Sequence, residues 1–382
     1  MDEFFKIGTL FFLGFVLLSL TYYLLTVTIS LYQLLRANKP DKIFHPAISI
    51  LKPLKGMDDC LEENLRSFFI LDYSQYELLF GIMEENDPAI AVVRRLQKEY
   101  PHIESKLIIN NRKTGLNPKI SNLCNIFPFA KYDFILISDS NISVGRDYLR
   151  EMAAHMQNPE VGLVTSLIRG TGALKIGAIM ENLHLNSYIA GNVIAIQKLF
   201  HRPITIGKSM LFRKKTVQDI GGFSCFKDFL AEDHLIGVRI QDLGLKVQLS
   251  YYFIDNINEK WSMRKFVNRH LRWAKMRRHL NLTHYAVEII SNPISLAFFY
   301  GLSHPDSIGA LIFAAVATVK IAGDAAMARA MKSDLKPIQF LLIPLKDLLI
   351  GGIWLIPFFS RHINWRGNRF RIMNQTALQS ID

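Results

Sequence analysis

The chain begins with an apolar run that carries no charged residue from Ile7 to Leu35. A helix needs roughly 20 such residues to cross a bilayer, so residues 1–36 are expected to form a transmembrane anchor. The preceding MDEFFK holds two acids and one lysine, unlike the basic flank of a cleaved signal peptide. Arg36, Lys39 and Lys42 follow the run, and the positive-inside rule then places the N-terminus outside and the rest of the chain in the cytosol.

From residue 37 to 258 the pattern changes. The short apolar runs AISIL, ELLFGIM, KLIIN, FILIS and VGLVTSL alternate with LEENLRSFFIL and PAIAVVRRLQKEY, whose apolar residues recur every three or four positions. This alternation predicts an α/β domain with at least five strands. Residues 259–282 are dense in Arg and Lys, interrupted by Trp261, Phe266 and Trp273, a composition that suits a helix lying on an anionic membrane surface. Three more apolar segments follow, near 283–301, 307–323 and 337–360. They contain Glu288, Lys320, Lys346 and Asp347, and Pro293, Pro344 and Pro357 are expected to kink them. Arg361, Arg366, Arg369 and Arg371 mark residues 361–382 as a cytosolic tail. An even number of crossings must then separate domain and tail, which favours two spans and one segment that does not cross.

With 382 residues, half of them hydrophobic, the chain exceeds a single small domain. Lys and Arg outnumber Asp and Glu by 45 to 33, and the net charge of +12 admits nucleic acid, an anionic membrane face or a phosphate-bearing substrate as partner. Cys60, Cys124 and Cys225 have no spacing that implies zinc or a disulfide framework.

Candidate chemistry gathers where strands should end, which is where open α/β sheets bind ligands. Glu84-Glu85-Asn86-Asp87-Pro88 follows ELLFGIM, and Lys113-Thr114-Gly115-Leu116-Asn117-Pro118-Lys119 leads into a helix whose N-terminus could hold phosphate. FILIS runs into Asp139-Ser140-Asn141, where a carboxylate could ligate Mg²⁺ or Mn²⁺. Leu230-Ala231-Glu232-Asp233-His234 puts an acid where it could deprotonate a hydroxyl. In Arg269-His270-Leu271-Arg272-Trp273 two arginines one turn apart could reach a departing diphosphate. Each cluster alone has an ordinary reading as a turn, a helix cap or a membrane-facing surface.

Together, in this order and spacing, they resemble the ceramide glucosyltransferases, membrane-bound enzymes of GT-A fold with three separated acids followed by (Q/R)xxRW. SILKPLKG, LEENL, DPAI, GLNPKISNL, VGLVTSL, GGF, AED and RHLRW all look like signatures of that family, over roughly residues 48–280. The resemblance implies an inverting transfer of glucose from UDP-glucose to the primary hydroxyl of ceramide. It implies Asp139 as ligand of a divalent cation and the diphosphate, Asp233 as general base, and Arg269, Arg272 and Trp273 closing the site. Asn117 and Lys119 would contact the nucleotide, and Glu84 stands where the family has its first aspartate. A nucleotide sugar, a lipid acceptor and the bilayer are then the partners, and the basic charge needs no nucleic acid. Other lipid acceptors, hopanoid or diacylglycerol-like, fit the same motifs, and a polysaccharide synthase is a more distant alternative.

Overall fold

The computed structural model describes residues 2–37, 44–200, 204–365 and 367–381, with side chains from Gly8 onward. Lys39, Lys42 and Arg366, used above to orient the chain, lie outside the described residues.

The first run forms one 35-residue helix, α1 (Asp2–Arg36). The α/β region then alternates β1 (Ile48–Pro53), α2 (Leu61–Phe69), β2 (Tyr76–Ile82), α3 (Ala89–Glu99), β3 (Ser105–Ile109), α4 (Pro118–Ile126), β4 (Phe134–Ser138), β5 (Ile142–Ser143), α5 (Tyr148–His155) and β6 (Val161–Thr171). Next come α6 (Ile176–Leu183), α7 (Ala190–Phe200), β7 (Ser209–Arg213), α8 (Lys214–Asp219), α9 (Glu232–Asp242) and β8 (Lys246–Ile257). All eight strands share one sheet in the order β3-β2-β1-β4-β7-β6-β8-β5. Strands β3, β2, β1 and β4 are mutually parallel, and β7 runs antiparallel between β4 and β6.

Burial on both faces explains the unbroken apolar strands: every residue of β2 is buried, as a parallel sheet covered by helices requires. One core centres on Ile50, Phe68, Phe80 and Tyr148, the other on Leu51, Ile120, Phe212 and Ile236. The chain leaves β1 toward β2 and β3 on one side, while β4 lies on the other. The C-terminal ends of β1 and β4 therefore border a topological switch point, where such sheets open a crevice.

The basic stretch is the helix α10 (Met263–Leu280), and it does not lie free on a surface. Phe266, Arg269, His270, Ala274, Lys275 and His279 are buried, because much of its charge has partners inside the protein. Arg269 faces Glu181, Lys275 donates to Ser360 Oγ and His362 O, and Arg277 binds Glu288 through two hydrogen bonds. Beyond it lie α11 (Leu282–Val287), α12 (Pro293–Ser303), α13 (Ser307–Ala330) and α14 (Ile343–Leu355). Helix α1, helix α13 and the segment Pro337–Phe358 around α14 are long and apolar enough to cross a membrane, and Leu282–Ser291 with Pro293–Ser303 forms a pair bent by 73°. Pro293 sits at that bend, but Pro344 occupies the first turn of α14, where no backbone N–H is lost, and Pro357 ends the segment rather than kinking it. The charges within these segments are paired: Lys320, Asp324, Lys346 and Asp347 are at most 3% exposed and form one cluster, which Tyr23 of α1 joins through a hydrogen bond to Asp324.

Residues 361–382, expected as a tail, contain an antiparallel sheet of β9 (His362–Trp365), β10 (Asn368–Ile372) and β11 (Leu378–Ser380). Ile363, Phe370, Ile372 and Leu378 pack on Leu230, while Leu378 N donates to Asp228 O and Leu230 N to Thr376 O. The tail is thus a buttress for the loop that leads into α9.

Candidate active site

Strand β4 delivers Asp139 to the switch point, and β1 places Lys52 beneath it. The Lys52 ammonium is fully buried, donates to Ser138 Oγ at 3.2 Å and Asp139 O at 2.8 Å, and lies over the Phe68 ring. Burial holds its pKa well below the ordinary lysine value. Above it the Asp139 carboxylate meets Lys119 Nζ at 2.9 Å and Lys208 Nζ at 3.5 Å. Lys119, in the first turn of α4, also donates to Gly207 O and lies 3.4 Å from Glu232. Burial alone would lower its pKa, but Asp139, Glu232 and Asp233 outweigh that and raise it. Lys208 has fewer compensating acids, and burial lowers it to about 8.

Asp233 opens α9 at the cavity wall. Its carboxylate accepts hydrogen bonds from Gly207 N at 2.9 Å and His234 N at 2.8 Å, which fix its direction. The close approach depends on Gly207: a Cβ there would stand 2.6 Å from Asp233 Oδ2. Neighbouring Glu232 points inward to Asn117 Nδ2 and Lys119, and burial raises its pKa to about 7.

Helix α10 supplies the third side. Arg269 is 8% exposed, with its guanidinium carbon 4.2 Å from the Trp273 ring and 5.0 Å from Trp261. Behind it the fully buried Glu181 of α6 takes Arg269 at 3.3 Å and His270 Nε2 at 2.8 Å. Burial works to raise Glu181, yet Arg269 and His270 prevail and hold it low, whereas burial lowers His270. Arg272 and Trp273 line the same cavity.

The structure therefore gathers Asp139, Lys119, Asp233, Arg269, Arg272, Trp273 and Glu84 around one cavity of about 2510 Å³. Glu84 stands exposed at its edge, paired with Lys55 at 3.1 Å. Asn117 has no exposed surface, because its side chain caps α4 by accepting from Lys119 N and Ile120 N and ties the loop to Phe229 O and Glu232. Its side chain thereby holds the first turn of α4, from which Lys119 projects. Asn141 also has a defined task, since its Oδ1 accepts from Lys208 Nζ at 2.6 Å. Lys208, Lys52 and Glu181 were missed by sequence reasoning. Gly207-Lys208 just before the apolar run SMLFR was a usable signal for the first, while nothing local marks the other two. Among the described residues, no three His, Cys, Asp or Glu side chains are grouped to hold a metal ion.

Such a cavity can hold an anionic diphosphate against Lys208 and the α10 arginines while Asp233 faces a hydroxyl. The sequence model of glycosyl transferase family 21 matches residues 11–378. Ceramide glucosyltransferase 3 of Caenorhabditis elegans is 30% identical over 374 residues, spanning 94% of this chain and 80% of the relative, and ceramide glucosyltransferase 1 of the same animal is 28% identical over 361 residues, spanning 90% and 75%. Among solved structures, a mannosyltransferase from Pyrobaculum calidifontis in complex with GDP-Man and Mn²⁺ superposes with a TM-score of 0.50 at 16% identity, over 94% of this chain and 99% of that one, which shows a shared GT-A-like fold. The family match over nearly the whole chain and the relatives at 30% and 28% identity lead to one conclusion: this chain belongs to glycosyl transferase family 21, the ceramide glucosyltransferase family, and is a lipid glycosyltransferase.

Proposed function

We propose that this enzyme transfers glucose from UDP-glucose to the primary hydroxyl of ceramide, with inversion at the anomeric carbon. The observation that carries this reading is that the pinned Asp233 carboxylate, the Asp139-Lys119-Lys208 cluster and Arg269 all line one cavity. Asp233 takes the proton from the acceptor hydroxyl as its oxygen attacks the anomeric carbon. The bond from that carbon to the β-phosphate oxygen breaks, and the electron pair leaves with UDP. Lys208 and the arginines of α10 offset the charge that develops on the diphosphate. No enzyme nucleophile is needed.

Asp139 is the residue that would hold a divalent cation. Among the described residues no three His, Cys, Asp or Glu side chains are grouped to cage a metal, so a single carboxylate suits a cation that would arrive bound to the diphosphate. Bound there, it would supply further neutralisation of the leaving group. The catalytic domain faces the cytosol in this reading, α1 anchors it, α13 and the segment around α14 cross, and the bent α11–α12 pair does not.

The test is incubation of membranes containing the enzyme with labelled UDP-glucose and ceramide. Glucosylceramide is the expected product, and failure to label ceramide while another lipid is labelled would assign a different acceptor.

A further inference from the structure

The C-terminal sheet meets the loop before α9 through a turn whose backbone is held where few side chains go. Gln375 and Thr376 have φ of 54° and 64°, and no other adjacent pair of non-glycine residues among the described residues shares that left-handed conformation. For Thr376, a β-branched residue, it is disfavoured and persists only where the surroundings over-determine it. Here they do. Thr376 has no exposed surface, its carbonyl accepts from Leu230 N at 3.0 Å, and its hydroxyl accepts from Ala231 N at 3.2 Å. Phe229 bridges Ala377, and Leu378 N donates to Asp228 O at 2.7 Å, so the turn forms a short antiparallel ladder with residues 228–231.

The bond to Ala231 has a particular place. Ala231 is the N-cap of α9 and is fully buried, and as an alanine it offers no side-chain oxygen to the helix start. Its own N–H is among the four donors that a helix leaves without an internal partner. The Thr376 hydroxyl supplies that partner from 145 residues away. Asp233 follows two residues later in the first turn.

The same sheet grips the other walls of the cavity. Leu116, before α4, and Met276 of α10 pack on its apolar face with Leu230. Lys275 of α10 donates to Ser360 Oγ at 3.0 Å and to His362 O at 2.6 Å, where the sheet begins. Asp228 Oδ1 accepts from Leu116 N at 2.9 Å, and Lys227 O accepts from Asn117 N at 2.7 Å. The sheet thus joins α9, which carries the acid, to α10, which carries the arginines.

We propose that Thr376 is a positioning residue for the transfer: through the backbone of Leu230 and Ala231 it fixes where α9 begins, and with it the place of Asp233 relative to Arg269 and Arg272. It touches no reacting atom. The proposal rests on Asp233 being the base, as read above, and adds what aims it. Asp139 and Lys208 are carried by other elements, at the ends of β4 and β7.

The experiment measures steady-state transfer to ceramide by the wild type, Thr376→Val, Thr376→Ser and Gln375→Gly. A thermal melt gives the folded fraction of each preparation, and kcat is expressed per folded enzyme. Thr376→Val keeps the volume and leaves the Ala231 N–H unpaired. A shift of about 1 Å can cost about 10²-fold in rate, so its kcat is expected to fall about 10- to 100-fold while the KM for UDP-glucose is unchanged. Thr376→Ser restores the acceptor and is expected to recover most of kcat. Gln375→Gly relieves the turn without removing a side-chain hydrogen bond and is expected to keep wild-type kcat. Wild-type kcat per folded Thr376→Val, even with less folded protein, overturns the proposal, as does an equal loss in Gln375→Gly. If Thr376→Val fails to fold, Thr376→Gly decides, since glycine suits the positive φ and lacks the hydroxyl: a reduced kcat supports the role and a wild-type kcat overturns it. Asp233→Asn is assayed alongside. Full transfer by that variant removes the base and this proposal with it, whereas its inactivity beside an unimpaired Thr376→Val removes this proposal alone.

Discussion

Replacing Glu181 with Gln tests whether the Arg269-to-Trp273 segment is aimed by an ion pair standing behind it. Glu181 has no exposed surface, and its carboxylate meets Arg269 at 3.3 Å and His270 at 2.8 Å. Burial lowers the pKa of His270, and Arg269 stands ahead of His270 among the groups that hold Glu181 low against its own burial. Gln keeps the shape and removes the charge. Breaking one side of a buried ion pair costs about 3–5 kcal/mol, and the indoles of Trp261 and Trp273 against the guanidinium retain about 1 kcal/mol of its favourable surroundings. The net loss expected is about 2–4 kcal/mol, combining those two ranges. Part of it appears as a lower thermal midpoint in detergent. The rest appears as an Arg269 no longer held over the diphosphate, for which a fall in kcat of about 10²-fold is expected, the lower end for losing one preorganised electrostatic contact. Glu181→Asp keeps the charge and is expected to recover part of both losses. The assay is steady-state transfer to ceramide with a thermal melt of the same preparation. Wild-type kcat in Glu181→Gln with an unaltered melt would refute the positioning role.

Gly207→Ala places a methyl group 2.6 Å from Asp233 Oδ2, so kcat is expected to fall at least tenfold with a smaller change in the UDP-glucose KM, read from initial rates. Glu232 titrates near 7 in the folded chain because burial disfavours its charge. Its contribution to stability is therefore complete below the ordinary carboxylate range and is lost as pH rises through about 7. Melts from pH 5 to 8 should show the wild type losing stability relative to Glu232→Gln over that window. Asp324→Asn leaves the buried ammonium of Lys320 with less compensation, and a loss of about 3 kcal/mol is expected from equilibrium unfolding. Replacing Lys320, Asp324, Lys346 and Asp347 together with apolar residues of similar size is expected to cost far less than that single change.

Much of this was legible in the chain. Continuous apolar runs such as ELLFGIM and FILIS are what a parallel sheet buried on both faces demands, and the charge-free run before Arg36 left little choice but a long helix. That Asp139 and Asp233 border the cavity was visible locally, as acids at the end of a buried strand and the start of a helix, while the roles expected of them came from the resemblance alone. What stayed hidden depends on contacts distant in sequence. Glu181 looks like one acid in an ordinary helix until α10 lays Arg269 and His270 against it. Lys52 is indistinguishable from a surface lysine until β4 pairs with β1. Asn117 was expected at the nucleotide only through the family resemblance, whereas its own side chain caps α4, a contact that the sequence there also allows. The C-terminal sheet was concealed by its arginines: HINW and NRFRI bury alternate residues, but short strands with charged outer positions read as a basic tail. The basic helix misled in the same way, since composition reports how many charges it carries and not how many are answered inside the fold.

The most direct measurement is mass spectrometry of the glycolipids made when this chain is expressed in a host that lacks them, with Asp233→Asn alongside. A β-linked glucosylceramide from the wild type and none from Asp233→Asn at equal abundance in the membrane is the predicted result. A glycolipid of another sugar or acceptor, or undiminished product from Asp233→Asn, would contradict the account.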